Sequence, residues 1–286
     1  MQIIECPRDA MQGIHEFIPT EVKVEYLNKL LRVGFHTLDF GSFVSPKAIP
    51  QLKDTQEVLA GLDLGVSNTK LLAIIANKRG AEDAVAHKEI TYLGYPLSIS
   101  ETFQQRNTNK SISAALEDVA HIGGLCVKNS KELVVYISMA FGNPYNDPYS
   151  LDYLEQFTDV LTTLGVEIIS LSDTIGIATP VQIKSSFSLF STVYPEVNFG
   201  VHLHSTKETA SEKIRVAIKA GCERFDGAIL GYGGCPMAKD ELMGNIDTKV
   251  IIEEIKNSCN TQLKLDMGAF KEAENYASLH VFGKYH

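Results

Sequence analysis

Short apolar runs alternate with longer stretches of helical periodicity from one end of this chain to the other. The runs at residues 2–6, 37–40, 70–75, 89–93, 133–138, 167–171, 198–201 and 224–229 read as strands. Near-continuous apolar character is what a strand covered on both faces requires. Between the runs lie amphipathic stretches. Residues 20–33 carry Val22, Val24, Leu27, Leu30 and Leu31 near helical spacing, and residues 111–126 carry Ile112, Ala115, Leu116, Val119 and Ile122. Residues 149–164, 180–194, 206–220 and 248–258 behave alike, and a further helix is expected over 266–278. Pro180 sits where proline suits a first helical turn. The pattern is weakest after the second strand and after the third, around residues 79–86.

Eight strands with intervening helices predict an α/β fold of the (β/α)8 TIM-barrel type with an additional C-terminal helix. A doubly wound open sheet is the second architecture the order allows. The 286 residues suit one barrel, so residues 1–286 are expected to form a single TIM-barrel catalytic domain. No linker or low-complexity run interrupts them. The loop containing Gly231, Gly233 and Gly234, with Gly244 beyond it, follows the eighth strand and is expected to be the most pliable stretch.

Composition narrows the function. The net charge is −9 and no Lys/Arg-rich block occurs, which argues against nucleic acid and against an anionic membrane surface. An anionic substrate would need local, convergent positive charge. Five cysteines (Cys6, Cys126, Cys222, Cys235 and Cys259) lie far apart with no C-x-x-C pair. That spacing suits a reducing compartment better than a disulfide framework or a structural zinc site. No secretory signal pattern opens the chain, and no apolar run approaches the roughly 18 residues of a membrane span. A cytoplasmic protein is the expectation.

The most informative local feature is His202-Leu203-His204. Side chains two apart on a strand point the same way, so both imidazoles would aim at one spot. With a carboxylate from elsewhere they would make a divalent-metal site with open positions. A lone His-x-His is more often a pair of satisfied or exposed histidines. Its place at the end of the seventh strand raises the odds, because loops after the strands form the active face of such a barrel. Other polar groups gather at the same ends. Arg8 and Asp9 follow the first strand, Asp39 ends the second, and Ser138 ends the fifth. Asp173 follows the sixth, and Cys235 lies beyond the eighth. Taken singly, each has a plain structural reading: Asp173 as a helix cap, Arg8 as a partner of Glu5, Cys235 as a small apolar filler.

Six segments in order carry a family likeness. They are Pro7-Arg8-Asp9 with Gln12; Ser42-Phe43-Val44-Ser45-Pro46-Lys47; Gly142-Asn143-Pro144-Tyr145; Ser170-Leu171-Ser172-Asp173-Thr174-Ile175-Gly176; Val201-His202-Leu203-His204; and Gly231-Tyr232-Gly233-Gly234-Cys235-Pro236 with Gly244-Asn245. In these the chain resembles the 3-hydroxy-3-methylglutaryl-CoA lyases, within the metal-dependent barrels that make or break C–C bonds beside a carbonyl. The resemblance implies cleavage of 3-hydroxy-3-methylglutaryl-CoA to acetyl-CoA and acetoacetate. It implies Asp9, His202, His204 and Asn245 as protein ligands of Mg²⁺ or Mn²⁺. It makes Arg8 an electrophilic helper and Cys235 and His202 the candidates for proton traffic, with Asp39 and Asp173 orienting groups. Gln12, Ser42, Tyr136 and Ser138 are expected with Arg8 around the substrate, and Asn77 and Arg79 toward the CoA moiety.

Several positions depart from the family pattern. One residue is deleted between Glu5 and Pro7, and Ala10 replaces a glycine. Ser205 and Asp39 stand where the family has Asp and Glu, respectively. Lys249 and Ile168 replace glutamates, and Asn143 replaces a cysteine. Two alternatives follow: a related metal-dependent enzyme acting on another hydroxyacyl-CoA or a hydroxy acid, or a paralogue that binds metal or acyl-CoA without turnover. Barrels with an extra C-terminal helix often pair, so a homodimer is open to the chain, although no exposed stripe marks an interface.

Overall fold

Eight parallel strands pair in sequence order and close on themselves: β1 (Gln2–Glu5), β2 (Thr37–Ser42), β3 (Lys70–Ile74), β4 (Ile90–Ser98), β5 (Glu132–Ser138), β6 (Ile168–Asp173), β7 (Asn198–Leu203) and β8 (Arg224–Gly227). Closure runs from Gln2 opposite Arg224 to Glu5 opposite Gly227. The chain is therefore a (β/α)8 barrel, and the open-sheet alternative is excluded. The computed structural model describes residues 1–234, 243–259 and 263–285.

The strands are buried on both faces, which explains why their sequences read as apolar runs rather than alternations. Leu72, Ile74, Tyr92, Val134, Tyr136 and Ile168 pack together inside the barrel. The larger core lies between the strands and the surrounding helices. Those helices are α1 (Pro7–Gln12), α2 (Thr20–Val33), α3 (Thr55–Ala60), α4 (Lys78–Val85), α5 (Glu101–Thr108), α6 (Ile112–Lys128), α7 (Leu151–Thr163), α8 (Pro180–Val193), α9 (Lys207–Lys219), α10 (Thr248–Ser258) and α11 (Met267–Tyr276). Pro180 occupies the first turn of α8, behind a Thr179/Gln182 capping box.

Two helices escape the periodicity. α1 has six residues, too few to register a period, and α5 is polar, with Ser100 accepting from Phe103 N as its cap. β4 extends well past the expected end at residue 93, running through Gly94 and Pro96 to Ser98. Inside the barrel Gly94 is a packing choice: a Cβ there would lie 2.6 Å from Ile74 Cδ1. Gly94 O accepts from Ile75 N on the β3 side, and β3 ends at Ile74. Residue 96 points its backbone the same way, past that end, so Pro96 forfeits no ladder bond.

The C-terminal helix packs on α2. Tyr276 stacks on Tyr26 with centroids 6.4 Å apart, and Asp266 N donates to Val33 O at 2.9 Å. A π-turn over Ala277–Phe282 then brings Phe282 onto the Tyr232 ring at 4.2 Å, beside the loop after β8.

Candidate active site

The chain turns sharply from β1 into α1, with Pro7 at the first helical position. That short helix sets Arg8, Asp9 and Gln12 at the barrel mouth. Arg8 forks onto Asp39, which lies within β2 rather than ending it, because that strand runs on to Ser42: Nε donates to Oδ2 at 3.0 Å and Nη2 to the same oxygen at 2.6 Å. Nη1 donates to Asp9 Oδ1 at 2.9 Å and to Gln12 Oε1 at 3.0 Å. Gln12 Nε2 in turn donates to Asp9 Oδ1 at 2.7 Å. Arg8 thus pairs with Asp39 and Asp9, not with Glu5. Glu5 faces the other way, accepting from Ile229 N and the Thr248 hydroxyl. Burial works against the Arg8 charge, but Asp39 and Asp9 outweigh it and hold its pKa above the ordinary value. Burial pushes the Asp39 carboxyl up to about 6, with Arg8 pulling the other way. Asp9, also opposed by burial, is held below the usual carboxylate range by Arg8 and by the two histidines.

The strand parity expected of His202 and His204 is what β7 provides. Their rings lie 5.3 Å apart, and Asp9, His202 and His204 each offer a ligand atom within 4.8 Å of the others. His204 Nδ1 lies 3.1 Å from Thr174 O, which fixes a proton there and turns Nε2 into a lone-pair donor. That Nε2 is buried with no partner among the described residues. Burial, then the His202 charge, pushes the His204 imidazole down to about 4, so it is neutral. His202 Nδ1 lies 3.2 Å from Asp226 Oδ2. Burial opposes the His202 charge, but Asp226 and Asp9 prevail and raise its pKa. Asn245 reaches the same spot because residues 204 and 245 form an antiparallel bridge. Its amide nitrogen donates to Asp9 Oδ2 at 2.7 Å and to Tyr232 O at 2.9 Å. The atom it has left to offer is the amide oxygen. Gly233, at φ 102°, admits this approach: a Cβ there would lie 2.5 Å from Asn245 Nδ2.

The donor set fits a hard divalent cation: a carboxylate, two imidazoles with one orphaned buried nitrogen, and an amide oxygen. A second cluster of Cys6, His202 and Asp226 fits less well. Cys6 donates its thiol proton toward Ile4 O, and burial holds its pKa well above the usual thiol value.

Above the cluster opens a cavity of about 200 Å³. Arg8, Asp9, Gln12, Asp39, His202 and His204 line its polar end, with Tyr136 and Ser138 from β5. Ile49, Ile74 and Phe103 are among its apolar walls. Ser42, Asn77 and Arg79 do not line it. The Ser42 hydroxyl accepts from Val44 N, and the Asn77 amide caps α4 by accepting from Gly80 N. Arg79 is exposed on the first turn of α4. Asp173 stands behind the cavity wall, paired with Lys213 at 2.8 Å and accepting from Ala178 N. It is the anchor of the β6 loop rather than a group facing the cavity. Cys235 lies outside the described residues.

Two residues here were not singled out from sequence. Asp226 shares the parity of Arg224 on β8, and that parity beside His202 was the available signal. Lys213 is buried on α9 and donates to Asp173, Gly176 O and His204 O, tying β6 to β7. It looked like an ordinary polar position of an amphipathic helix. Among the departures, Lys249 is exposed on the first turn of α10, and the Ser205 hydroxyl pairs with Thr209 at 2.7 Å. The Asn143 amide staples its own loop through Tyr145 N, Asp147 N and Asp147 O.

Fold and site together define a TIM barrel with a possible metal site, formed by Asp9, His202 and His204, at the mouth. The HMGL-like family model matches residues 2–276, and the chain belongs to that family of carbon–carbon lyases. It is 32% identical to the hydroxymethylglutaryl-CoA lyase of Bacillus subtilis over 94% of this chain and 90% of that one. It is 31% identical to the mitochondrial enzyme of Mus musculus, over 94% and 84% of the two chains. An HMG-CoA lyase structure from Acinetobacter baumannii, in complex with coenzyme A and 3-methylmalate, superposes with a TM-score of 0.89. That similarity covers 98% of this chain and 91% of the other at 29% identity.

Proposed function

We propose that this chain cleaves 3-hydroxy-3-methylglutaryl-CoA to acetyl-CoA and acetoacetate, with Mg²⁺ or Mn²⁺ as cofactor and residues 1–286 acting as one catalytic domain. The observation that carries the reading is the convergence of Asp9, His202 and His204 with the Arg8 guanidinium at the polar end of one cavity. In the reaction the C2–C3 bond breaks. The C3 hydroxyl loses its proton and becomes the ketone of acetoacetate, and C2 gains a proton to become the methyl of acetyl-CoA.

Asp9, His202, His204 and the Asn245 amide oxygen would hold the cation, which when bound supplies Lewis-acid stabilisation of oxygen-centred negative charge. Arg8 is held by Asp39, Asp9 and Gln12 in one orientation, so its charge meets the developing enolate without reorganisation. His202, oriented through Nδ1 by Asp226 at the polar end of the cavity, would give its other ring nitrogen to the cation, and it is the candidate for the hydroxyl proton only while that nitrogen is off the cation. Cys235, which follows β8 in the sequence, is the candidate to deliver the proton to carbon. Tyr136 and Ser138 bound the acyl group. Exposed Arg79 on α4 is the candidate for the CoA phosphates. Among the described residues no helix is long and apolar enough to cross a membrane, and Cys6, Cys126, Cys222 and Cys259 are unpaired. Those free thiols support a reducing, cytoplasmic setting.

A substrate panel tests the reading. 3-Hydroxy-3-methylglutaryl-CoA should yield equal amounts of acetyl-CoA and acetoacetate. Turnover of another 3-hydroxyacyl-CoA or of a hydroxy acid, with none of this substrate, would reassign the acyl group. No turnover of any member by metal-loaded protein would make the chain a binding paralogue.

A further inference from the structure

At the opposite end of the barrel from the mouth lies a buried charge that no side chain neutralises. Arg224 opens β8 and is completely buried. Among the described residues its Nε, Nη1 and Nη2 have no hydrogen-bond partner and no carboxylate pairs with it. Gly200, opposite it on β7, makes room for its stem: a Cβ there would lie 2.9 Å from Arg224 Cγ and Cδ. The side chain therefore runs into the barrel interior, and the guanidinium carbon comes 5.8 Å from the Tyr92 ring centroid. Lys70 Nζ donates to the Tyr92 hydroxyl at 3.0 Å on the same floor. A guanidinium stays charged at any ordinary pH, and an uncompensated buried charge is costly.

The neighbouring charges do not cancel it. Asp226 Oδ2 is committed to His202, one residue-pair nearer the mouth. Asp226 Oδ1 and Ser170 Oγ are buried without partners and offer at most two acceptors to five N–H groups. Glu132 is exposed and lies near Lys70. His36, whose ring is 6.4 Å from that of Tyr92, is pushed down to about 4 by burial, then by Arg224, Lys70 and the N-terminal ammonium. Glu167 and Glu223 are exposed and Glu89 half-buried at the same strand ends, so the positive charge held away from water on this floor is that of Arg224.

We propose that the barrel floor binds a chloride-sized monovalent anion against the Arg224 guanidinium, beneath the Lys70–Tyr92 pair. Water can accept the N–H bonds but does not answer the charge. The complete burial of Arg224, with Tyr92 at 3% exposure, suits a small inorganic ion rather than a nucleotide or polyanion. The ion would serve the fold, as the N-terminal face of a barrel usually does, and not the reaction at the mouth.

Crystals of the full chain soaked in bromide should show an anomalous peak within hydrogen-bond reach of Arg224. Thermal melts at constant ionic strength should rise by about 2 °C per tenfold increase in chloride over gluconate, once chloride exceeds its dissociation constant. Arg224→Met should abolish that dependence. If this variant does not fold, the bromide map and the chloride titration of the unaltered protein still decide. Melts indifferent to chloride, with only water or no density at the guanidinium, would overturn the proposal. So would bromide found only at the mouth beside Arg8.

Discussion

Replacing Arg8 by lysine separates geometry from charge at the candidate site. Arg8 serves three acceptors at once: the Asp39 fork, Asp9 Oδ1 and Gln12 Oε1. A lysine ammonium can satisfy one carboxylate of the two but cannot span both. Asp39, at 1% exposure, and Asp9, at 7%, would then share too little compensating charge. Each charge-assisted bond lost is worth about 1.5–3 kcal/mol, and the ammonium recovers part, so a net loss of about 2–4 kcal/mol of stability is expected. That corresponds to a melting temperature lower by roughly 3–7 °C. If the fork also presents Arg8 to enolate charge, kcat should fall by about two to three orders of magnitude, as for a lost oxyanion donor. Acetoacetate formation at saturating substrate, run beside thermal melts with and without Mn²⁺, measures both. An unchanged kcat with a raised KM would make Arg8 a uniform binding group. An unchanged melting temperature would show that the fork does not hold Asp39 and Asp9 together.

Three further outcomes are expected. His204→Ala should weaken Mn²⁺ binding by about tenfold or more in a calorimetric titration; equal affinity would remove His204 from the ligand set. The Glu5 carboxyl, pushed from 4.5 up to about 8 chiefly by burial, keeps a proton in the folded chain that the unfolded chain gives up. Its contribution to stability is therefore full below about 4.5 and is lost as pH rises toward 8. Urea midpoints should show this fall, and Glu5→Gln, a neutral isostere that keeps an acceptor for Ile229 N and a polar group beside the Thr248 hydroxyl, should flatten it; an identical pH slope in the variant would discount Glu5. Brief iodoacetamide treatment should label Cys235 first and bound acyl-CoA should protect it, because Cys6, Cys126 and Cys222 are buried with thiol pKa values pushed up by burial. Cys235→Ser should lose most activity and keep its metal affinity, and first labelling at Cys259 with full activity in the variant would return Cys235 to a structural role.

What was legible in the chain follows its periodicities. Strands covered on both faces announce themselves as apolar runs, and the long helices α2 and α10 match their expected limits to the residue. Elements whose reason lies in packing stayed hidden. Gly94 and Pro96 look like breakers until the filled interior and the end of β3 explain them. The imidazole pair was readable because strand parity is local. Asp226 and Lys213 were not, because Asp226 acts on a histidine 24 residues away and Lys213 on a carboxylate 40 residues away, and neither has a period of its own. Asn77, matched to a ligand-facing segment, also has a local role that its sequence position did not reveal: its side-chain oxygen caps a helix. Asp173, foreseen as an orienting group, has its charge met by a lysine that the helix pattern did not single out.

The central claim is that Asp9, His202 and His204 gather a divalent cation on which cleavage of 3-hydroxy-3-methylglutaryl-CoA depends. Protein stripped with chelator and titrated with Mn²⁺ while acetoacetate is measured tests it most directly. Stripped protein should be inactive, and activity should return saturably as about one ion binds per chain. Acetoacetate formed at the same rate by stripped and loaded protein, or none formed by protein carrying its full complement of Mn²⁺, would contradict it.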